Sequence, residues 1–390
     1  MSLKLKIVNE KIIILGAGTF QKGLILYLKE QGFYTIVVTN KPEELSARVA
    51  DQVFDFSYTN TEKVIQLYRE IKAVQIFSVA SEGPLLTQSM VQEYFKLTGN
   101  SKEWVEFFLD KWSYKSQLNA TNLAPFSCYL GNKDIGSFIK NGDHYMLKPV
   151  FGSGSAQVRK IDSTEQLETL TDHQSYILEK YIEGKEMGSD LFLFNNEVVY
   201  LCPTHKKTNE WNVPYAHLIL SDSKHEILLP FINELKNALK LKDGFYNLDI
   251  MLKDDRPYLL DISPRLGGNG IPEILKAGYE INEYEYLLSW HMNKPTKSTD
   301  YTFKRNTGVY IIGARERGTL KTVVDKDHPF KQQAIELFWN KKIGERVQPF
   351  SEGKYHLGYF IYTAETDEEL IEVQNQIETY QWFTLQKIDE

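Results

Sequence analysis

Apolar and polar residues alternate along the first 110 positions in a way that predicts a parallel sheet flanked by helices. Residues 11–15, Lys-Ile-Ile-Ile-Leu, are a short β-branched run that predicts a buried strand. A helical stretch from about 19 to 31 and a second strand over 34–38 follow it. Residues 61–72 have a helical pattern, and 74–79 predict a third buried strand. Strands that alternate with helices at this spacing are typical of βαβ units.

The pattern changes after Asp110 and Lys111. Residues 84–109 are mostly helical, whereas short strands predominate beyond them and predict an α+β body with much antiparallel pairing. These strands are expected at 145–149, 156–160, 176–181, 188–194, 197–203, 214–220, 245–253 and 257–262. Helices are expected at about 226–240 and 271–292. Beyond about residue 300 the pattern predicts strands at 308–312, 358–363 and 382–388 and a helix at 366–379.

These changes predict three parts in a mixed α/β and α+β fold. The first is a parallel βαβ domain over residues 1–105. The second is a central domain over 106–300, with a small lid subdomain at about 120–185, and the third is a C-terminal α+β unit over 301–390. A length of 390 residues is consistent with two or three domains.

Composition and charge exclude several classes of protein. Apolar residues make up 42% and charged residues 25%, which is ordinary for a globular protein. A net charge of -7 without a dense basic stretch argues against nucleic acid as a partner. No run of 18 apolar residues predicts a membrane span, and the first residues lack the apolar core of a signal peptide. Cys128 and Cys202 are interpreted as buried or incidental thiols, so a cytoplasmic location is expected.

Two features of the N-terminal part are candidate ligand contacts. Gly16 and Gly18 form a turn between a predicted strand and helix, where a phosphate can rest on the helix N-terminus. A dinucleotide site would need an acidic residue after the second strand, but Thr39-Asn40 stands there, which favours a tight turn without a nucleotide. Glu82 follows the third strand at the carboxyl edge of the sheet, where ligands bind. It is either a substrate contact or a surface carboxylate.

Two later segments suggest a nucleotide. Lys148 ends a strand and precedes the Gly/Ser-rich loop 152–155, which can fold its amides and hydroxyls over phosphate oxygens. A flexible hairpin is the alternative. Residues 179–186 are either a solvated strand edge or the place where an adenine lies, with backbone groups near Lys180 and Ile182 at its edge and a carboxylate on the ribose.

The most informative segment is a predicted hairpin that carries Asp249 and Asp261 in otherwise apolar strands. Their separation of twelve residues suits facing positions with both carboxylates on one side. Two like charges on one buried face repel unless a cation lies between them, and hard oxygen ligands suit Mg²⁺ on nucleotide phosphates. Arg265 would then stand beside the metal to stabilise a developing phosphoryl charge. A hairpin whose aspartates cap turns explains Asp254 and Asp255 but not this pair.

In combination these segments resemble the ATP-grasp superfamily over nearly the whole chain. The resemblance rests on motifs that occur in the family's order after a βαβ unit. They are Asp110-Lys111, Lys148-Pro149 with its Gly-rich loop, Glu179-Lys-Tyr-Ile-x-Gly-x-Glu186, Asp249, and Asp261-Ile-Ser-Pro-Arg265.

The resemblance implies ATP and Mg²⁺, with Mn²⁺ as an alternative metal, and it implies roles for particular residues. The phosphate contacts are Lys111 and Lys148, and the mobile phosphate lid is Gly152, Ser153, Gly154 and Ser155. The adenine strand is Glu179, Lys180 and Ile182, and Glu186 is the ribose ligand. Asp249, Asp261 and Ser263 match the three metal positions, and Arg265, with Lys148, matches the catalytic position. The family's usual residues at the last two metal positions are Glu and Asn, and the Ser263 hydroxyl is a weaker ligand than an amide.

The family's shared route, activation of a carboxylate as an acyl phosphate, is what the resemblance implies for function. The segment from Leu266 to Glu273 favours the carboxylate–amine ligase branch, which joins a small acid to an amine. Candidate substrate contacts are Glu82, Lys206, His217 and Gly268. A homodimer is common in the family. The alternatives are a bicarbonate-activating carboxylase or carbamoyl-phosphate-synthase-like enzyme, and a non-catalytic ATP-binding protein.

Overall fold

The fold is given by a computed structural model that describes most of the chain. The described residues are 10–131, 142–152, 154–163, 165–168, 170, 172–294, 301–325 and 327–387. Among them, no helix is both long enough and apolar enough to cross a lipid bilayer.

The N-terminal part is built on a four-stranded parallel sheet. Its strands are β1 (Lys11–Leu15), β2 (Tyr34–Thr39), β3 (Gln52–Asp55) and β4 (Gln75–Phe77), in the order β3-β2-β1-β4. The helices are α1 (Lys22–Glu30), α2 (Thr61–Ile71), α3 (Leu85–Tyr94) and α4 (Lys102–Leu109). This confirms the predicted parallel sheet. Strand β3 was not predicted because none of its residues is fully buried, so it lacks an apolar run.

A small antiparallel sheet follows, within the predicted lid. Helix α5 (Lys111–Leu118) leads into it, and the Asp110 carboxylate caps this helix by accepting bonds from the Trp112 and Ser113 amides. The sheet consists of β5 (Ser127–Tyr129), β6 (Tyr145–Pro149), β7 (Arg159–Ile161) and β8 (Tyr176–Lys180), in the order β5-β8-β6-β7, with a short helix α6 (Glu165–Glu168). Helix α5 was not predicted because its buried face contains lysines, so no apolar stripe marks it.

The largest sheet begins with five long antiparallel strands. They are β9 (Lys185–Phe194), β10 (Glu197–Thr208), β11 (Pro214–Ile219), β12 (Gly244–Lys253) and β13 (Arg256–Ser263), with α7 (His225–Leu239) between β11 and β12. Helices α8 (Ile271–Gly278) and α9 (Glu283–His291) follow. A single helix was expected over 271–292, but Glu280 has a φ of 58°, a left-handed conformation that ends the first helix.

The remaining strands extend this sheet and add a smaller one. They are β14 (Asn306–Ile312), β15 (Gly318–Val323), β16 (Ala334–Trp339), β17 (Arg346–Val347), β18 (Gly358–Ala364) and β19 (Phe383–Gln386), with α10 (Asp367–Thr379). The large sheet has the order β13-β12-β9-β10-β11-β14-β18-β16, and β17-β15-β19 form the small one. The large sheet crosses residue 300, so the domain boundary expected there stays a prediction.

The two faces of the large sheet differ in a way that locates the site. One face is apolar along the strands and packs on α7 through residues such as Leu191, Leu201 and Tyr246. The other face packs at one end on α9 through Phe192, Tyr200 and Phe245. Because side chains alternate along a strand, Asp190, Asn247 and Asp249 lie on this second face, beyond its apolar end. The fold is therefore mixed α/β and α+β, as predicted. The polar part of this second face, around Asp190, Asn247 and Asp249, is called the polar half-face below.

Candidate functional site

One cavity of about 870 Å³ lies between the lid sheet, the polar half-face and the carboxyl edge of the N-terminal sheet. Its volume is within the range of small-molecule sites. Every described residue that the sequence analysis assigned to ATP, the metal, the substrate or catalysis lines it. These are Glu82, Lys111, Lys148, Gly152, Gly154, Ser155, Glu179, Lys180, Ile182, Glu186, Lys206, His217, Asp249, Asp261, Ser263, Arg265 and Gly268. Ser153 lies outside the described residues.

The two aspartates of the hairpin are direct neighbours across strands β12 and β13, as expected from their spacing. Asp249 pairs with Asp261 in register, and a bulge follows. Each carboxylate is bonded to a lysine: the Asp249 Oδ1 atom lies 2.9 Å from Lys206 Nζ, and Asp261 Oδ2 lies 3.6 Å from Lys111 Nζ. Lysines of the chain therefore supply cations beside both aspartates, and the repulsion between the two charges does not by itself require a metal.

Several groups stabilise the ionised form of Asp261. Its Oδ1 atom accepts a 2.6 Å hydrogen bond from the Tyr114 hydroxyl and a 3.0 Å bond from the Ile262 amide. Burial alone would raise the pKa of Asp261, but the Lys111 and Lys148 ammonium groups and the Tyr114 bond lower it to about 2. This carboxylate is ionised throughout the physiological range.

The oxygen atoms at the hairpin fit a hard metal ion. Ser263 lies opposite Asn247, two positions from the aspartate pair, and its buried Oγ has no well-formed hydrogen bond among the described residues. A buried hydroxyl beside two carboxylates is a set of oxygen ligands that suits Mg²⁺ or Mn²⁺, with phosphate and water supplying the other ligands. No group of three or more His, Cys, Asp or Glu side chains suited to a metal occurs in the described part of the chain. The metal assignment thus stays a prediction.

Lys148 is held in place by a buried ionic cluster. Its Nζ atom lies 2.5 Å from Glu179 Oε2 and donates to the Leu260 carbonyl at 3.1 Å. The other oxygen of Glu179 lies 2.8 Å from Lys115 Nζ, and the carboxylate is 1% exposed. The Glu179 side chain therefore binds two lysines, and an adenine contact at this position would have to come from its backbone.

The pKa values in this cluster follow from burial and charge. Burial opposes ionisation of Glu179, but Lys115 and Lys148 outweigh it and hold the pKa below its usual value. Burial lowers the pKa of Lys115 to about 8, although Glu179 opposes the shift. The cluster carries one negative and two positive charges near neutral pH. Its net positive charge suits a phosphate.

Lys111 connects the lid loop to the hairpin. Its Nζ atom donates to the Gly152 carbonyl at 2.7 Å, in addition to its pairing with Asp261. The loop is fastened on its other side by Ser155, whose Oγ donates to the Asn212 carbonyl at 2.7 Å. Gly154 has a φ of 65°, a conformation that glycine adopts without strain. Gly152 and Ser155 are therefore tied to opposite sides of the cavity, Gly152 to Lys111 and Ser155 to Asn212.

The predicted ribose ligand and a predicted substrate lysine lie side by side. Lys206 Nζ is 3.5 Å from Glu186 Oε2 and also pairs with Asp249, so it connects the two carboxylates. Burial alone would lower the pKa of Lys206, but Asp249 and Glu186 raise it. Lys180 points away to Asp143, 3.2 Å between Nζ and Oδ2, while Ile182 is half-buried at the cavity wall.

Arg265 meets a carboxylate from the N-terminal part. Its Nη2 atom lies 3.5 Å from Glu82 Oε1, while Nη1 donates to the Leu266 carbonyl at 2.9 Å and to Asn247 Oδ1 at 3.4 Å. Burial raises the pKa of Glu82, and Arg265 and Lys111 only partly offset this. Gly268 fits tightly against the same edge, since a Cβ there would lie 3.3 Å from the Ala80 carbonyl oxygen.

His217 is buried over Gly188. Its Nδ1 atom lies 3.0 Å from Thr204 Oγ1, and a Cβ on Gly188 would come within 3.1 Å of the ring. Burial, reinforced by the Lys206 charge, lowers the pKa of His217 to about 3. The imidazole is therefore neutral at physiological pH.

Sequence reasoning missed several members of the site. Tyr114 and Lys115 belong to helix α5, whose buried face is largely polar, so the helix lacks the apolar repeat by which helices are found in a sequence. Asp190 and Asn247 lie beneath Arg265, and the Asp190 Oδ1 atom accepts a 2.7 Å bond from Asn247. Asp190 directly precedes the apolar Leu-Phe-Leu-Phe run of β9, in a strand that is otherwise mostly buried, and this position is the signal that could have identified it.

A small lid sheet closing over ionisable groups on a large antiparallel sheet is the architecture of an ATP-grasp protein. The family model described as an ATP-grasp domain matches residues 109–269, and this part of the chain is similar to the ATP-grasp superfamily. ATP-grasp enzymes are ATP-dependent ligases. A second model, for shikimate/quinate 5-dehydrogenase, matches residues 2–110, the part that contains the parallel sheet and its glycine turn.

Curated relatives are distant. An uncharacterized protein of Methanocaldococcus jannaschii is 24% identical over 79% of this chain and 80% of its own length. A carbamoyl-phosphate synthase of Methanobrevibacter smithii is 22% identical over 73% of this chain and 81% of its own length.

Solved structures share the fold over almost the whole chain. The L-amino acid ligase of Bacillus licheniformis has a TM-score of 0.81 at 17% identity, covering 98% of this chain and 99% of its own. The phosphoribosylglycinamide synthetase of Anaerococcus prevotii has a TM-score of 0.76 at 20% identity, covering 97% and 100%. The biotin carboxylase domain of Hydrogenobacter thermophilus 2-oxoglutarate carboxylase, solved with MgADP and bicarbonate, has a TM-score of 0.75 at 14% identity, covering 97% and 91%.

Proposed function

We propose that this chain is an ATP-dependent carboxylate–amine ligase that activates an acid as an acyl phosphate and joins it to an amine. The observation that carries the proposal is the single cavity in which Lys111 and Lys148 face the Asp249–Asp261 pair and Arg265. The same cavity thus contains lysines that could bind phosphate, carboxylates that could bind a metal, and an arginine that could lie beside the reacting group. This convergence is what phosphoryl transfer requires, because positioning and charge stabilisation carry that step.

In the proposed reaction a carboxylate oxygen attacks the γ-phosphorus of ATP and ADP leaves. The amine then attacks the acyl carbon, and phosphate leaves as the amide bond forms. Lys148, fixed by Glu179, would balance the phosphate charge, and the loop at Gly152 to Ser155 would cover it. Glu186 would take the ribose hydroxyls, with the base along the backbone of Lys180 and Ile182.

Asp249, Asp261 and Ser263 would hold Mg²⁺ or Mn²⁺. The metal would neutralise charge on the β- and γ-phosphate oxygens. Arg265 would stabilise the charge that develops on the acyl-phosphate oxygens. Glu82, which Arg265 contacts, would bind the amine as its ammonium form and accept the proton that the amine loses before it attacks the acyl carbon. Gly268 lets the turn that follows Arg265 approach the N-terminal sheet edge, which brings Glu82 to this position.

Measurement of ADP release tests the proposal. Turnover should require an acid and an amine together, and hydroxylamine should intercept the acyl phosphate as a hydroxamate when the amine is omitted. Failure to trap a hydroxamate from any of a broad panel of acids would sink the proposal. Tight ATP binding without turnover on that panel would instead favour a non-catalytic ATP-binding protein.

Bicarbonate is the second candidate acid. It is favoured by the relative named carbamoyl-phosphate synthase and by the structural neighbour solved with bicarbonate. ATP hydrolysis that depends on bicarbonate and needs no organic acid would distinguish this reaction. We also propose a homodimer, because homodimers are common in the family. Sedimentation analysis of the purified chain would test this.

A further inference from the structure

A buried pair of carboxyls lies beneath Arg265, and the proposed chemistry does not use it. Asp190 is on β9 and Glu283 is the first residue of α9, and neither is more than 1% exposed. The two carboxyls contact each other. Burial raises the pKa of both acids, Asp190 raises that of Glu283 further, and the nearby Arg265 charge offsets the shift of Asp190 only in part, so the pair retains a proton near neutral pH.

The hydrogen bonds indicate which acid keeps that proton. Asp190 Oδ1 accepts from Asn247 Nδ2, and Oδ2 accepts from the Gly267 amide, each at 2.7 Å. Two N–H donors stabilise a carboxylate. Glu283 Oε1 accepts from the Tyr200 hydroxyl at 2.7 Å, whereas its buried Oε2 receives no hydrogen bond of good geometry from the described residues. The proton therefore resides on Glu283, facing an ionised Asp190.

Asp190 holds the arginine segment in two places. Through Asn247, whose Oδ1 atom accepts from Arg265 Nη1, it orients the guanidinium. Through the Gly267 amide it fixes the backbone two residues further on. Gly267 fits closely here, since a Cβ would lie 2.9 Å from both Asp190 oxygens. Arg265 Nε is buried without a partner among the described residues, so few other contacts define the side chain.

We propose that Asp190 is a positioning residue for the phosphoryl step: with Glu283 holding the shared proton, its carboxylate sets the orientation of Arg265 and of the turn that follows. This inference rests on the proposed function, because Arg265 is given its role there. Asp190 itself touches no substrate; it acts through Asn247 and Gly267.

The substitution Asp190→Asn tests this role. An amide has one acceptor oxygen, so its NH₂ group must face either the Asn247 NH₂ or the Gly267 N–H. The rate of acyl-phosphate formation should fall by about 100-fold, the cost expected for misplacing a catalytic group by roughly 1 Å. The Kd for ATP should change by less than about threefold, because the nucleotide contacts lie elsewhere.

A reciprocal exchange supplies the rescue. In the double variant Asp190→Asn with Asn247→Asp, residue 190 donates to residue 247 and still accepts from Gly267, and Arg265 again has an oxygen partner. This variant should recover at least about tenfold of the lost rate. Glu283→Gln is the matched control, since its amide reproduces the hydrogen bonds of the protonated acid and should retain turnover within about threefold.

Hydrogen–deuterium exchange of the peptide 263–270 separates this inference from the proposed function. Exchange should accelerate in Asp190→Asn and return in the double variant, whether or not an acid substrate has been found. A chain that forms no acyl phosphate but shows this pattern would contradict the function and keep the network. Equal losses of ATP affinity and rate without rescue, or unchanged exchange, would overturn the role of Asp190.

Discussion

Asp249 and Asp261 lie directly opposite each other on paired strands, yet each is bonded to a different lysine. Lys206 Nζ is 2.9 Å from Asp249 and Lys111 Nζ is 3.6 Å from Asp261. The lysines relieve the repulsion between the aspartates without filling all of their lone pairs. The remaining lone pairs are the ones that we propose bind the metal.

Removing the charge of Asp261 should abolish metal-dependent turnover. In Asp261→Asn the carboxylate that faces both Lys111 and the proposed metal is lost, so we expect a fall of roughly 100-fold or more in ATP turnover. Binding of Mn²⁺ to the nucleotide complex, followed by paramagnetic resonance, should weaken in parallel. The matched control is Asp254→Asn in the turn of the same hairpin, where a φ of 49° suits asparagine. Equal losses in both variants would contradict the assignment.

Neutralising Lys148 should weaken nucleotide binding. The Lys148 Nζ atom is presented to the cavity by Glu179 and the Leu260 carbonyl, and a charge-assisted hydrogen bond contributes about 1.5–3 kcal/mol. We expect the Kd for ATP in Lys148→Met to rise by roughly 10- to 100-fold in titration calorimetry. Lys185→Met, at the exposed start of β9, is the control. Unchanged affinity in Lys148→Met would remove this lysine from the nucleotide site.

The sequence predicted those parts of the fold in which apolar and polar residues follow one clear pattern, either a continuous apolar run or a regular alternation. The buried run at 11–15 and the hairpin around Asp249 and Asp261 were found because their residues alternate or cluster clearly. Helix α5 was missed because Lys111 and Lys115 occupy its buried face, where an apolar residue was expected. Its burial is stabilised by Glu179 and Asp261, which are distant in sequence, and no local pattern can reveal such partners.

In the candidate site, too, the sequence predicted some features and not others. Every described residue that was assigned a ligand or catalytic role from the sequence lines the cavity, because motif order captures position along the chain. What each side chain contacts was less predictable. Glu179 binds two lysines, and Lys206 joins Glu186 to Asp249, because tertiary packing decides which ionic partners meet.

Glu179→Gln should destabilise the fold as well as the site. The substitution leaves Lys115 buried without its ionic partner, which typically costs about 3–5 kcal/mol. The folded-state pKa of Glu179 is lowered by Lys115 and Lys148 against the effect of burial, so its stabilisation is present above the unfolded pKa near 4.5. It is lost as the pH falls through the lower folded value. Denaturant unfolding should therefore show the parent's advantage at pH 7 and its shrinkage in acid.

The exposed Glu183, four residues along the same segment, supplies the comparison. Glu183→Gln should leave the free energy of unfolding within about 0.5 kcal/mol of the parent. A similar loss in both variants would mean that the Lys115–Glu179–Lys148 cluster adds nothing specific.

His217 should make the fold sensitive to mild acid. Its pKa is about 3 when folded, because of burial and the Lys206 charge, against an ordinary value of 6.5. Between these values the unfolded chain binds a proton that the folded chain does not. The free energy of unfolding therefore falls with decreasing pH, by up to about 1.4 kcal/mol per pH unit from this group. The slope from this group fades as the pH rises through 6.5 and is absent well above it.

His217→Gln should flatten the dependence of unfolding free energy on pH between about 6 and 4, measured by denaturant titration at several pH values. Thr204→Val removes the hydroxyl that contacts Nδ1 but no titratable group, so it should lower stability at every pH and keep the slope. If His217→Gln and the parent have parallel curves, the imidazole takes up its proton in the folded chain at an ordinary pH. It would then stand in water-filled space rather than packed over Gly188, and the polar half-face would be more open than the contacts at Thr204 indicate.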